Sequence, residues 1–273
     1  MKTPGPWIIL GLGWGLLSAQ NHRQMADFSP SRLASASVQL EQCAGAESIV
    51  TNPAFLSCQT LNASAWIAHP WGLRTLSVSG LSVGFGTHRH RVAATVHHLN
   101  HQYYQETALY IGTACDLGQF GIVGLTLIRS RSQIYHARSP HTNGLILGYA
   151  RALTANIRTA ICYYRSNHST HNAPDPCLEG QAMWQVNAHL VLGVRYERGQ
   201  NALQEWRWAA AWTLHPRFQI KMGVSPALKT FHLGLQCRIG CWQWQYATAL
   251  HPLLGQVHSL GGCFHWATER TKK

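Results

Sequence analysis

Histidine, cysteine and the acidic side chains are the residues of this sequence whose types and spacing could carry chemistry. His88-Arg89-His90, His97-His98 and His101 crowd one short stretch of a chain with 17 histidines. Three or four converging imidazoles could hold zinc, copper or haem iron. In an extended chain, however, His88 and His90 share a face while His97 and His98 point opposite ways. Histidine is also spread along the whole sequence, so a local cluster carries little weight, and no metal or cofactor is assigned. The ten Asp and Glu residues leave few partners for acid–base catalysis. No Gly-x-Ser-x-Gly elbow, His-Glu-x-x-His helix or phosphate loop occurs. The expectation is a protein that is not an enzyme. A Ser–His pair meeting only in space would leave no such motif, and geometry alone would reveal it.

The eight cysteines do not read as a disulfide framework. Cys115, Cys162, Cys237 and Cys263 sit inside strand-like runs, where cysteine behaves as a small hydrophobe. Spacing permits a pair Cys237–Cys241 across the turn at Arg238-Ile239-Gly240, and a pair Cys43–Cys58. No CxxC occurs, so a zinc site has no support.

What must position these residues is read from the chain's ends and its periodicity. Met1-Lys2, an apolar run from Trp7 to Leu17 and the close Leu17-Ser18-Ala19 have the layout of a secretory signal. It covers residues 1–19, and cleavage after Ala19 is expected. No later run is long and apolar enough for a spanning helix. Only 12% of residues are charged, about half the usual share, while aromatics reach 10%. That combination suits a β-barrel whose strands alternate between lipid and lumen. Lys and Arg number 22 against 10 Asp and Glu. An exported chain seldom meets nucleic acid, so the excess is read as a positive lumen, as contact with anionic outer-leaflet lipid and lipopolysaccharide, or as plain strand edging.

Alternation is clearest after residue 185. Val186, Ala188, Leu190, Leu192, Val194 and Tyr196 oppose Gln185, Asn187, His189, Arg195 and Glu197. Trp206, Trp208, Ala210, Trp212 and Leu214 then oppose Glu205, Arg207, Thr213 and His215. Phe218 to Val224, Phe231 to Cys237 and Trp242 to Leu250 repeat the pattern, with Lys221 and Arg238 on polar faces. Period two marks strands between one apolar and one polar environment. A soluble sandwich alternates similarly, but Trp and Tyr gather near the run ends, as interfacial girdles do.

Earlier strands are expected near Ser64–His69, Leu76–His88, Arg91–Asn100, Glu106–Asp116, Gly121–Arg131, Gly144–Leu153 and Ile157–Arg165. Asn167–Gln181, with two prolines and a glycine, reads as the longest loop. The fold class is therefore all-β: an antiparallel transmembrane barrel of about 12–14 strands over residues 63–266. Residues 20–62 precede it as a plug-like segment, and 267–273 follow as a tail. Within the plug, Gln39–Val50 is expected to form a short helix, and Pro53 disfavours a helical Asn52 and ends that helix by Thr51.

Two regions carry a resemblance. Leu33-Ala34-Ser35-Ala36-Ser37-Val38 followed by Asn52-Pro53-Ala54 resembles the N-terminus of FadL-like outer-membrane barrels. Tyr246–Trp266, with His251-Pro252-Leu253-Leu254-Gly255 and a final aromatic strand, resembles the closing hairpin of the PorV- and PorQ-like proteins of Bacteroidota, which belong to type IX secretion. Phe55 departs from the glycine usual after Asn-Pro-Ala. The resemblance implies an integral protein of the Gram-negative outer membrane, delivered by the barrel-assembly machinery. It implies a plug or turn motif at Asn52, Pro53 and Ala54. The expected function is to pass or bind small, hydrophobic solutes, with Gln185, Asn187, Arg195, Glu205, Arg207, Lys221 and Arg238 lining the lumen. The alternative is a non-conducting barrel that docks secretion-system or cargo proteins.

Overall fold

A computed structural model describes residues 25–40, 45–56, 61–73, 75–134, 141–168, 176–199 and 204–266. The signal, the Cys43–Cys58 pair and the tail lie outside the described residues. Fourteen strands follow one another: β1 (Leu61–His69), β2 (Ser77–Gly86), β3 (His90–His101), β4 (Tyr104–Asp116), β5 (Ile122–Ile134), β6 (His141–Ala152), β7 (Ile157–His168), β8 (Cys177–Gln185), β9 (Leu190–Gly199), β10 (Glu205–His215), β11 (Phe218–Ser225), β12 (Thr230–Ile239), β13 (Trp242–His251) and β14 (Gly255–Trp266). Each pairs antiparallel with its neighbours. β14 returns to β1, from Leu61 opposite Trp266 to His69 opposite His258, which closes the barrel. Closure leaves no unpaired sheet edge.

The period-two pattern sorts the wall. Leu81, Phe85, Ile111, Leu127 and Trp208 point outward and are more than half exposed. Their neighbours Ser82, Thr126 and Ala209 point inward and are buried. Such an apolar exterior around a polar, filled interior inverts the arrangement of a soluble sandwich. Outward tryptophans gather at strand ends: Trp184, Trp242 and Trp266 at the end that holds both barrel termini, and Trp206 at the opposite end.

Four expectations need correction. The stretch Asn167–Gln181 contains the end of β7 and the start of β8. Its signal was faint because the outward face of β8 includes Gly180 and Ala182, and Pro174 and Pro176 precede it. The alternation from Val186 instead continued the phase of β9 back through a turn. Val186–His189 is that turn, with Val186 N–H donating to Leu190 O at 3.0 Å. Of the helix expected over Gln39–Val50, residues 41–44 lie outside the described residues, Val38-Gln39-Leu40 is irregular and Ala46–Val50 forms a 3-10 turn. Finally, Cys237 and Cys241 are separate thiols. Cys237 is paired with Trp244 in the β12–β13 ladder, whereas Cys241 lies in the turn between Ile239 and Trp242.

Candidate functional site

The lumen is occupied by the chain's own N-terminal segment. A helical turn at Met25–Asp27 leads to α1 (Pro30–Leu33), with proline in its first turn, where its missing N–H costs nothing. The chain then reverses through Ala36 (φ 49°) and Ser37 (φ 64°), both left-handed. After the 3-10 turn at Ala46–Val50 comes Asn52, whose Oδ1 accepts from Ala54 N at 3.0 Å and so caps the turn Pro53–Phe55. Pro53 holds Asn52 extended, as a residue preceding proline must be.

Met25, Ala26, Ile49, Val50 and Leu56 of this plug pack against Trp66, Val78, Tyr110, Ile128, Ile146 and Tyr164 of the wall. Backbone can come this close because the wall carries inward glycines. A Cβ on Gly124 would meet the Pro53 carbonyl carbon at 2.5 Å, one on Gly148 would collide with Asn52 Oδ1, and one on Gly223 would reach Ser35 C at 2.6 Å.

A plug this irregular leaves carbonyls that no helix or ladder satisfies, and buried carbonyls must find donors. The wall supplies them one by one. Arg195 Nη1 donates to Ser37 O at 3.0 Å and Thr126 Oγ1 to Ile49 O at 2.8 Å. Arg91 Nη1 donates to Leu56 O at 2.8 Å and Cys162 Sγ to Thr51 O at 2.9 Å. Gln181 Nε2 reaches Gln39 O, and His232 Nδ1 lies 2.8 Å from Leu33 O.

Charge locks the same contact. Asp27 of the plug pairs with Arg32 at 2.9 Å and with Arg207 of β10 at 3.4 Å. Burial alone would raise the Asp27 carboxyl, but Arg32, Arg207 and Arg195, with the Ser37 hydroxyl, outweigh it and hold the group well below the usual carboxylate range. Arg195 Nη2 meets Glu179 at 3.0 Å and Glu197 at 2.9 Å. Arg207 Nη2 meets Glu205 at 2.8 Å, and Ser225 Oγ donates to Glu205.

The residues expected to line the lumen therefore separate. Arg195, Glu205 and Arg207 face the plug and bind to it or to one another. Lys221 is buried on the same inner wall. Gln185 and Arg238 border a cavity of 490 Å³ beside the plug, at the end that holds the barrel's termini. Asn187 departs from the expectation: it is exposed in the β8–β9 turn, where its Oδ1 accepts from His189 N and Leu190 N at 2.8 and 2.9 Å. The donors Arg91, Thr126, Cys162, Gln181 and His232 escaped sequence reading. Their one signal was a polar or small residue at an inward position.

The histidine stretch does not converge. His97 points inward between the Trp66 and Tyr110 rings, each 5.3 Å away, while His98 points outward to Thr107. His101 ends the strand that His90 begins. Among the described residues no three His, Cys, Asp or Glu side chains gather as a metal site.

No family model matches the sequence, and no curated protein matches it. Solved structures do match the fold. The CymD monoaromatic hydrocarbon channel superposes with a TM-score of 0.67 at 11% identity, covering 89% of this chain and 98% of its own. The toluene transporter TodX of Pseudomonas putida gives 0.63 at 9% identity, with 85% and 96% covered. A FadL homologue of Pseudomonas aeruginosa gives 0.61 at 9% identity, with 88% and 98% covered. The architecture shared with these FadL-type channels is a closed fourteen-stranded barrel whose lumen, in this chain, holds an N-terminal plug.

Proposed function

We propose that this chain is an outer-membrane β-barrel that binds or passes small hydrophobic solutes, in the plugged state. The observation that carries the reading is a lumen filled by hydrogen-bonded plug inside a wall whose exterior is apolar. A permanently open aqueous pore would not bury its polar wall residues against the chain's own backbone. The fold shared with a monoaromatic hydrocarbon channel and a toluene transporter supports the solute class. The end holding Leu61 and Trp266 is taken as periplasmic, since its turns are the shorter set. Export by the segment Met1–Ala19, assembly by the barrel machinery and contact with lipopolysaccharide belong to the same reading.

A docking barrel would combine a filled lumen with long ordered outer loops. The lumen is filled, but the longest connection between strands, from His168 to Cys177, spans eight residues. Placement beside PorV- and PorQ-like proteins rests on Asn52-Pro53-Ala54 and the closing hairpin, so transport is the reading carried forward.

The test is reconstitution of the refolded protein into planar bilayers and into liposomes offered labelled toluene. Heat-modifiable insertion, little ionic current and protein-dependent toluene entry support the proposal. A steady, large ionic current would replace it with an open porin. Insertion without toluene entry would favour docking, and no insertion would end the membrane reading.

A further inference from the structure

The outward wall changes character along one seam near the end opposite the barrel termini. On β5 the outward side chains run Val123, Leu125 and Leu127, then Arg129 and Arg131. On β6 and β7 the same face passes from Leu147 and Ile161 to Asn143, His141, Arg165 and Asn167. The ladder sets these side by side: Arg131 pairs with His141, Arg129 with Asn143, Asn143 with Asn167 and Leu145 with Arg165. Arg129, Arg131 and Arg165 are all exposed, and none has an acidic partner among the described residues. The acids of the wall go the other way. Glu106 and Glu179 are buried inward, while Glu197 and Glu205 bind Arg195 and Arg207. With strands spaced as in any sheet, Arg129 and Arg165 stand two strands and one pleat apart, about 12 Å between Cα atoms.

We propose that Arg129, Arg131 and Arg165 dock the phosphorylated head of lipopolysaccharide, with His141, Asn143 and Asn167 offering hydrogen bonds to its sugars. The inference rests on the outer-membrane reading above and gives that reading a lipid partner and its place on the wall. Three guanidiniums gathered without acids repel one another unless an anion lies among them. Phosphate suits them, because its oxygens accept two parallel hydrogen bonds from the planar fork of an arginine. Position selects the source of the phosphate. The cluster stands where the apolar wall ends, which is the depth of a lipid headgroup above its acyl chains. It also stands opposite the end taken as periplasmic, on the side of the leaflet that holds lipopolysaccharide. A spread too wide for one phosphate calls for a head that carries two on linked sugars, rather than for a phospholipid. The acyl chains then lie over Leu127, Leu147 and Ile161, which are 58%, 45% and 53% exposed.

The experiment first inserts the full chain into phosphatidylcholine vesicles and scores folding by heat-modifiable migration. Binding of bisphosphorylated lipid A is then measured in detergent micelles, with dephosphorylated lipid A, phosphatidylglycerol and inorganic phosphate as competitors. The parent chain is expected to bind lipid A, more weakly as salt rises, and at least tenfold more tightly than any competitor. Replacing the three arginines together (Arg129→Gln, Arg131→Gln and Arg165→Gln) should weaken binding about a hundredfold at low salt. Arg151→Gln, at an exposed guanidinium near the opposite end of β6, should leave it unchanged. A triple variant that binds as the parent does overturns the proposal, and so does an equal loss in Arg151→Gln. Equal competition by dephosphorylated lipid A, phosphatidylglycerol or phosphate overturns it on the parent chain alone, without any variant having to fold. A parent that inserts but ignores lipid A sinks this site and leaves the membrane reading standing; a parent that does not insert sinks both.

Discussion

Asp27 Oδ2 of the plug stands 3.4 Å from Arg207 Nη1 of β10, while its Oδ1 stands 2.9 Å from the plug's own Arg32. One carboxylate therefore couples the plug to the barrel wall. Its charged form is favoured by folding because three guanidiniums hold the carboxyl below its usual range. A group so depressed contributes its full stability above the unfolded carboxylate value of about 3.9 and loses it only as pH falls further. The unfolding midpoint of the protein in micelles, so far as Asp27 governs it, should stay level from pH 8 to about 4 and drop below that. Asp27→Asn should remove the acid-side drop that Asp27 causes. An unchanged drop in the variant would show that this carboxylate is not the coupling.

Arg195 holds three things at once: Ser37 O, Glu179 and Glu197. Arg195→Met strands two inward carboxylates and a carbonyl, and losing one partner of such a buried pair costs about 3–5 kcal/mol. Denaturant midpoints should show it, and adding Glu179→Gln should recover part of the loss. A single variant as stable as the parent would mean the cluster is solvated.

The glycines of the inner wall make a steric prediction with a built-in control. Gly124→Val and Gly148→Val put side-chain atoms where Pro53 and Asn52 lie. Displacement of the Asn-Pro-Ala turn should cost about 1–3 kcal/mol and expose the plug to protease. Gly180, on the outer face of β8, has nothing within 4 Å of its added Cβ, and Gly180→Val should leave both readouts alone. Equal effects from all three would refute the close-packed plug.

Ala36 and Ser37 adopt left-handed backbone that residues with a Cβ disfavour by about 1–2 kcal/mol each. Ala36→Gly should therefore stabilise the plug by about 1 kcal/mol, read as slower proteolysis within residues 25–56. Faster proteolysis would mean the turn is unstrained.

The outer wall can be tested from the lipid side. Ile111, near the centre of β4, is 57% exposed. Ile111→Arg should weaken folding into phospholipid vesicles by about 2–4 kcal/mol, as an arginine at the bilayer midplane does. Unchanged folding there would argue that this face does not meet lipid.

The sequence by itself determined the strand content, the inward and outward face of most strands and the position of the Asn52-Pro53-Ala54 turn. Each follows from local physics: a two-residue period between unlike environments, or a proline restricting its neighbour. β8 was lost where Gly180 and Ala182 thinned the outward face, since periodicity needs contrast to be visible. Only the tertiary structure decided what the inner polar residues do. Arg195 and Arg207 look the same in sequence whether they line water or bind a plug. The choice depends on which acceptors more than 150 residues away in the chain, the Ser37 carbonyl for Arg195 and the Asp27 carboxylate for Arg207, come within hydrogen-bond reach. The seam between Leu61 and Trp266 was equally silent, because two strands at opposite ends of the barrel sequence become neighbours only when β14 closes on β1.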